Sequence, residues 1–194
     1  MPAIAAPYGL VPVRRRDGLP ATGALTTYNI ASGAAAMFRG SPVRINTANG
    51  TVVPVTSSVM GTSPRDMYVG VFNGCEYTDA TGNRVHSNFF PNGTVTSDAV
   101  AYVIDDPNVV FKIQAQAADF NALAARGQRF EISQFASGNT VTGRSTARLD
   151  TAAGAGDTKP YVVVGIYNAP DNPNASGFVD VEVTINTNIH VYER

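Results

Sequence analysis

His86 and His190 are the only imidazoles in the chain. A hydrolase built on serine or cysteine would need one of them as its base. No Gly-x-Ser-x-Gly turn accompanies either. His86 lies in a Ser- and Asn-rich stretch, and His190 alternates with Ile189 and Val191, so both read as ordinary surface or edge-strand histidines. Cys75 is the single cysteine, which excludes an intrachain disulfide and a thiolate metal site. It follows Asn73-Gly74 with only Glu76 as a neighbouring base and reads as a small buried hydrophobe. Asp105-Asp106 is the one adjacent carboxylate pair. Neighbours on a strand point to opposite faces, so the pair makes no acid–base site, and with Pro107-Asn108 it reads as a turn. Carboxylates and Asn carbonyls are also hard oxygen ligands for calcium, but the spacing matches no EF-hand loop. Gly138-Asn139-Thr140-Val141-Thr142-Gly143 is a polar loop and carries neither phosphate-binding fingerprint. Arg14-Arg15-Arg16 is either a solvated basic run or a docking patch for an acidic surface. The expectation is a binding or assembly module without catalytic residues, metal or cofactor.

Composition narrows the partners. The net charge is −1 and the pI about 6.1. The basic field that would hold a nucleic acid is therefore missing. No run of about 18 apolar residues occurs, so no membrane-spanning helix is expected. The first residues lack a basic region followed by an apolar core and do not read as a signal peptide. Charged residues make up 15% of the chain, against roughly 25% in an average soluble domain. Thr and Asn, at 18 and 15 copies, fill the polar surface instead, and they suit strands and turns. The matches to glycosylation sequons at Asn49, Asn92 and Asn174 read as turns. The cations are 12 Arg and 2 Lys. That bias is typical of interfaces, because guanidinium is planar and weakly hydrated, and equally of a GC-rich genome.

The elements that would position these residues are short strands. Residues 1–25 carry Pro2, Pro7, Pro12 and Pro20, which exclude a helix and a central strand. Their apolar Ile4, Tyr8, Leu10, Val11 and Val13 need a surface to lie on, so an extended N-terminal arm is expected. Residues 26–194 read as a single β-rich domain. Pro42–Ile45 and Thr51–Val55 flank Asn49-Gly50 as a hairpin. Met67–Phe72 reads as a strand that runs into Asn73-Gly74 and a strand-like Cys75–Thr78. Val100–Ile104 and Val109–Ile113 flank the Asp105–Asn108 turn. Tyr161–Tyr167 is apolar throughout and reads as a central strand buried on both faces. Ala152–Gly156 reads as a flexible loop. Val179, Val181, Val183 and Ile185 alternate with Asp180, Glu182 and Thr184, the clearest period-two pattern in the chain. Phe120, Leu123 and Ala124 fall on one helical face between Gln116 and Arg126, with Gly127 as the cap. The expected class is all-β, a β-sandwich or β-barrel with one short helix and an extended N-terminal arm.

An ordered set of segments resembles a known family. It comprises Ile4–Arg15, Gly70–Thr78, Ser87–Pro91, Ala101–Gln114, Gly143–Asp150 and Val183–Asn186. Together they are similar to the small head-associated structural proteins of tailed bacteriophages, and the similarity spans nearly the whole chain. The resemblance implies a capsid decoration, or cement, protein on the outside of the virion, commonly a homotrimer, whose partner is the major capsid protein. The residues expected to grip that shell are those of the arm: Ile4, Pro7, Tyr8, Leu10, Val11, Arg14, Arg15 and Arg16. A proline-rich arm suits the task because it has less freedom to lose on binding. The alternative reading is a receptor- or carbohydrate-binding β module of the virion.

Overall fold

The structure, a computed structural model, describes residues 4–21, 25–46, 48–55, 68–151, 155–156, 159–172, 174 and 176–190. In chain order the strands are β1 (Val11–Arg15), β2 (Leu25–Asn29), β3 (Met37–Phe38), β4 (Pro42–Asn46), β5 (Thr51–Pro54), β6 (Tyr68–Thr78), β7 (Arg84–Ser87) and β8 (Phe89–Phe90). They continue with β9 (Val100–Ile104), β10 (Val109–Gln114), β11 (Arg129–Ser133), β12 (Gly138–Asn139), β13 (Arg144–Ser145), β14 (Arg148–Asp150), β15 (Tyr161–Ile166) and β16 (Asp180–Ile185). Among the described residues strands dominate and the helical content is one 3-10 turn at Thr187–Ile189, so the all-β class holds.

Two antiparallel sheets organise the molecule. The first runs β1-β10-β16-β15-β11-β14, and the second runs β2-β9-β6-β4-β5 with β7 alongside β6. The pairs β3–β8 and β12–β13 form two small accessory ribbons. Each large sheet curls: Ala115, just past β10, meets Leu149 of β14, and Ile30, just past β2, meets Val52 of β5. The curl stops short of a closed barrel, and the arrangement is sandwich-like.

Alternation along the strands builds two cores. Phe111, Ile113, Val181, Val183, Tyr161 and Val163 of the first sheet pack against Tyr68, Val71 and Ile104 of the second. Tyr68 and Tyr161 meet edge to face across that interface, 5.8 Å between centroids. The other face of the second sheet buries Val43, Val69, Phe72, Cys75 and Val103 with Met37 and Phe90 of the β3–β8 ribbon. The second sheet is thus a middle layer, which explains why β6 is apolar on both faces. Each large side chain so buried contributes about 1.5–3 kcal/mol. Gly70 is obligatory in this layer, because a Cβ there would stand 2.2 Å from the Ile104 carbonyl oxygen.

Four sequence expectations change. The stretch 116–126 forms turns and no helix. Asp119 adopts a φ of 60° and exchanges two hydrogen bonds with Gly177, backbone N–H to carbonyl and Gly177 N–H to the Asp119 side chain. That left-handed residue ends helical propagation before it begins. The buried residues are then Ala122 and Ala125, while Leu123 is 52% exposed. Second, Asn73-Gly74 does not divide two strands; β6 runs through it with a bulge where Gly74 has a φ of 150°. Third, the hairpin after β4 closes at the pair Asn46–Thr51, so its loop is longer than the Asn49-Gly50 dipeptide. Fourth, β15 is central between β16 and β11, yet only Tyr161, Val163 and Gly165 are buried. Val162 and Val164 are half-buried on the outer face, and a bulge after Val163 turns Ile166, opposite Val181, toward the main core. The loop expected at Ala152–Gly156 falls largely outside the described residues, as does part of the Asn174–Ser176 turn.

Candidate functional site

The N-terminal segment is extended and lies on its own domain. Gln114, at the end of β10, clamps it with both ends of its amide: Ala6 N–H donates to Oε1 at 2.8 Å, and Nε2 donates to the Ile4 carbonyl at 3.0 Å. Gly9 N–H then donates to Ala147 and Leu10 N–H to Gly40. Leu10 enters the main core. From Val11 the chain pairs with β10 as an edge strand, where Pro12 costs no ladder hydrogen bond. Pro7, Tyr8 and Val11 are half-buried, and Ile4 stands 79% exposed at the start of the described segment.

This places the arm across the outer face of the first sheet. One end of that face holds Lys112, whose Nζ lies 4.9 Å from the Tyr8 ring centroid and 4.6 Å from that of Tyr167. The same Nζ reaches Asp180 Oδ2 at 3.8 Å. Burial pushes the Asp180 carboxyl above the ordinary carboxylate range. Burial and then the Asp180 charge push the Tyr8 hydroxyl up as well.

The Arg14-Arg15-Arg16 run is dealt to three destinations. Arg14 Nη2 pairs with Glu182 Oε2 at 2.7 Å. Arg15 pairs with Asp106 at 3.1 Å and Asp17 at 3.4 Å. Arg16 is exposed, and its N–H donates to the Asn108 carbonyl. It lines a cavity of about 400 Å³ together with Arg126, Arg129, Val162, Val164 and Thr184. A cross-strand row sets the floor: Arg129 opposite Val162, Val162 opposite Thr184, Thr184 opposite Val110, and Val110 opposite Arg14. Arg126 and Arg129 escape sequence reasoning because they lie more than a hundred residues from Arg16 and share no local pattern with it.

The other candidates separate. Asp105 accepts from the Thr26 and Tyr28 hydroxyls, and Asp106 faces Arg15 and the Asn108 N–H. The two carboxylates thus turn to different strands. Among the described residues no group of three His, Cys, Asp or Glu gathers to hold a metal. His86, exposed on β7, has Nδ1 3.3 Å from Glu76 Oε2. His190 departs from its expected surface position: it is buried, with Nε2 3.0 Å from the Val69 carbonyl. Cys75 is buried on the opposite face of β6 from Glu76, and burial pushes its thiol up to about 12. The protonated thiol is a poor nucleophile at neutral pH. A shallow polar groove lies between β6 and β7, lined by Asn73, His86, Ser87, Asn88 and Tyr102. No helix among the described residues is long and apolar enough to cross a membrane.

No protein-family model, curated protein or solved structure matches this chain.

Proposed function

We propose that the chain is a non-enzymatic virion structural protein that binds the outside of a tailed-phage capsid and cements neighbouring capsomers. The observation that carries the reading is the pre-ordered N-terminal segment. It is clamped by Gln114 and anchored by Leu10, and it leads back to an exposed apolar Ile4. A binding element already held extended loses little conformational freedom when it docks. The ordered similarity to head-associated phage proteins supplies the partner, the major capsid protein, and the expectation of a homotrimer. A ligand that binds only the intact shell stabilises it by RT ln(1 + [L]/Kd), about 2.7 kcal/mol per site at a hundredfold excess over Kd. Particles lacking the protein should release DNA at a lower temperature than complete particles, and purified protein should restore the difference. Equal release temperatures at full occupancy would remove the reading.

A second reading is favoured by the groove at Asn73, His86, Asn88 and Tyr102. Its amide, imidazole and phenol groups suit the hydroxyls of a glycan. A glycan array that lights up for the native protein, and goes dark for Asn88→Ala with Tyr102→Ala, would move the protein to host-surface adhesion.

A further inference from the structure

The arginine-rimmed cavity on the outer face of the first sheet combines two features. Val162 and Val164 give its floor an apolar strip. They belong to a strand whose sequence is fit for burial on both faces, yet nothing in the described fold covers this side of it. Its rim is cationic. Arg14, Arg15, Arg84, Lys112 and Lys159 are each paired with a carboxylate of the chain. Among the described residues Arg16 and Arg126 make no such pair, and both line this one cavity.

The rim is also fixed in place. Gly127 N–H donates to Val163 O at 2.8 Å, and Val163 N–H donates to Gln128 O at 2.9 Å. These bonds tie the backbone after Arg126 to β15. The Arg126 guanidinium lies over Gly165, where an added Cβ would be 3.0 Å from Nη2. Arg16 is held from the other side by its bond to Asn108.

We propose that this cavity is a docking pocket for a carboxylate-bearing segment of a partner protein. An apolar side chain would lie on the valine floor, with its acidic neighbour forked by Arg16 and Arg126. Charge complementarity selects the class of occupant. A planar guanidinium matches a carboxylate bidentately. A nucleic acid would call for a continuous basic stripe, which a chain of net charge −1 does not offer. A free oxyanion would leave the valines in water. That the partner is the capsid shell rests on the function proposed above; the pocket's chemistry does not.

The test uses the full chain with isotope-labelled arginines and three probes at matched ionic strength: a short peptide alternating Leu and Glu, its Leu–Gln counterpart, and inorganic phosphate. The Leu–Glu peptide should shift the Nε–Hε signals of Arg16 and Arg126 and bind at least about tenfold more tightly than the Leu–Gln peptide. Arg16→Gln with Arg126→Gln should abolish that preference without moving the melting temperature, since neither residue supports the core. Gly165→Ala, which keeps both charges and displaces one guanidinium, should weaken the Leu–Glu peptide several-fold. Equal binding of the two peptides, phosphate competing as well as the peptide, or an unchanged preference in the double variant would each overturn the pocket. Shell binding is read separately. A double variant that protects particles from heat as well as native protein does, while native protein still prefers the Leu–Glu peptide, would keep the pocket and remove the shell as its partner.

Discussion

Gly9 and Gly40 pack backbone against backbone. Both have positive φ, 77° and 89°, and a Cβ on Gly9 would stand 2.9 Å from the Gly40 oxygen. The Leu10 N–H donates to that same oxygen at 2.9 Å. This contact seats the N-terminal segment. Gly40→Ala adds a methyl 3.0 Å from Leu10 N and O in a left-handed conformation. It should cost about 1–3 kcal/mol. Hydrogen exchange should quicken first at Leu10 and along β1, while β16 keeps its protection; uniform loss would show that the seat is not local.

Leu10 and Ile4 belong to one segment but should respond oppositely. Leu10→Ala opens a cavity in the main core and should lower stability by about 2–5 kcal/mol in chemical denaturation. Ile4→Ala removes an exposed side chain and should stay within about 0.5 kcal/mol, while weakening shell binding under the proposed function. Truncation through Arg16 removes Leu10 and all of β1, so it should destabilise the domain and not merely detach a tail.

Gln114→Leu should free the chain from Ile4 to Ala6 at a cost of about 1–2 kcal/mol for the two hydrogen bonds lost. Limited proteolysis should then cut before Tyr8 at a protease concentration that leaves native protein whole. An uncut variant would mean that Leu10 and β1 suffice to hold the segment.

Glu131 gives a pH signature. Its carboxyl is raised by burial, with Lys159 Nζ at 3.3 Å only partly offsetting the effect. A carboxyl whose folded pKa exceeds its unfolded value holds more protons folded than unfolded between the two, so its contribution to stability falls as pH rises through that window. The penalty is complete above the folded pKa and absent below the unfolded one, near 4.3. Relative to Glu131→Gln, native protein should therefore gain stability as the pH is lowered from neutrality toward the carboxylate range. Denaturation midpoints of the two proteins that stay parallel would contradict this.

What was legible in the sequence follows from how far each signal reaches. The alternation Val179, Val181, Val183, Ile185 marks an inner face correctly, because a strand's facing is a local property. The turn at Asp105–Asn108 is local too. The 116–126 stretch misleads because its helical spacing is overridden by Gly177 and Asn174, which reach across from a distant loop to Asp119 and Asn121. The half-open face of β15 could not be read, since an all-apolar strand does not say which of its sides the fold leaves uncovered. The arginine cavity was the least visible: Arg16 stood out as part of a run, but its companions come from another end of the sheet. His190 looked like an edge residue and is instead fixed to Val69 across the fold.

The position of β1 in the first sheet also bears on how the chain is made. Its partner strand comes about a hundred residues later; Ala6 and Gln114 are 108 apart. β10 in turn needs β16, the last of the described strands, which lies between β10 and β15. During synthesis β1 emerges before β10 and waits with its ladder groups open, and the sheet cannot be completed until β16 has left the ribosome. Long-range pairing of this kind places folding on the millisecond-to-second scale. Pro12 in the waiting strand then acts as a guard, since a strand interrupted by proline is a poor template for pairing with another nascent copy of itself.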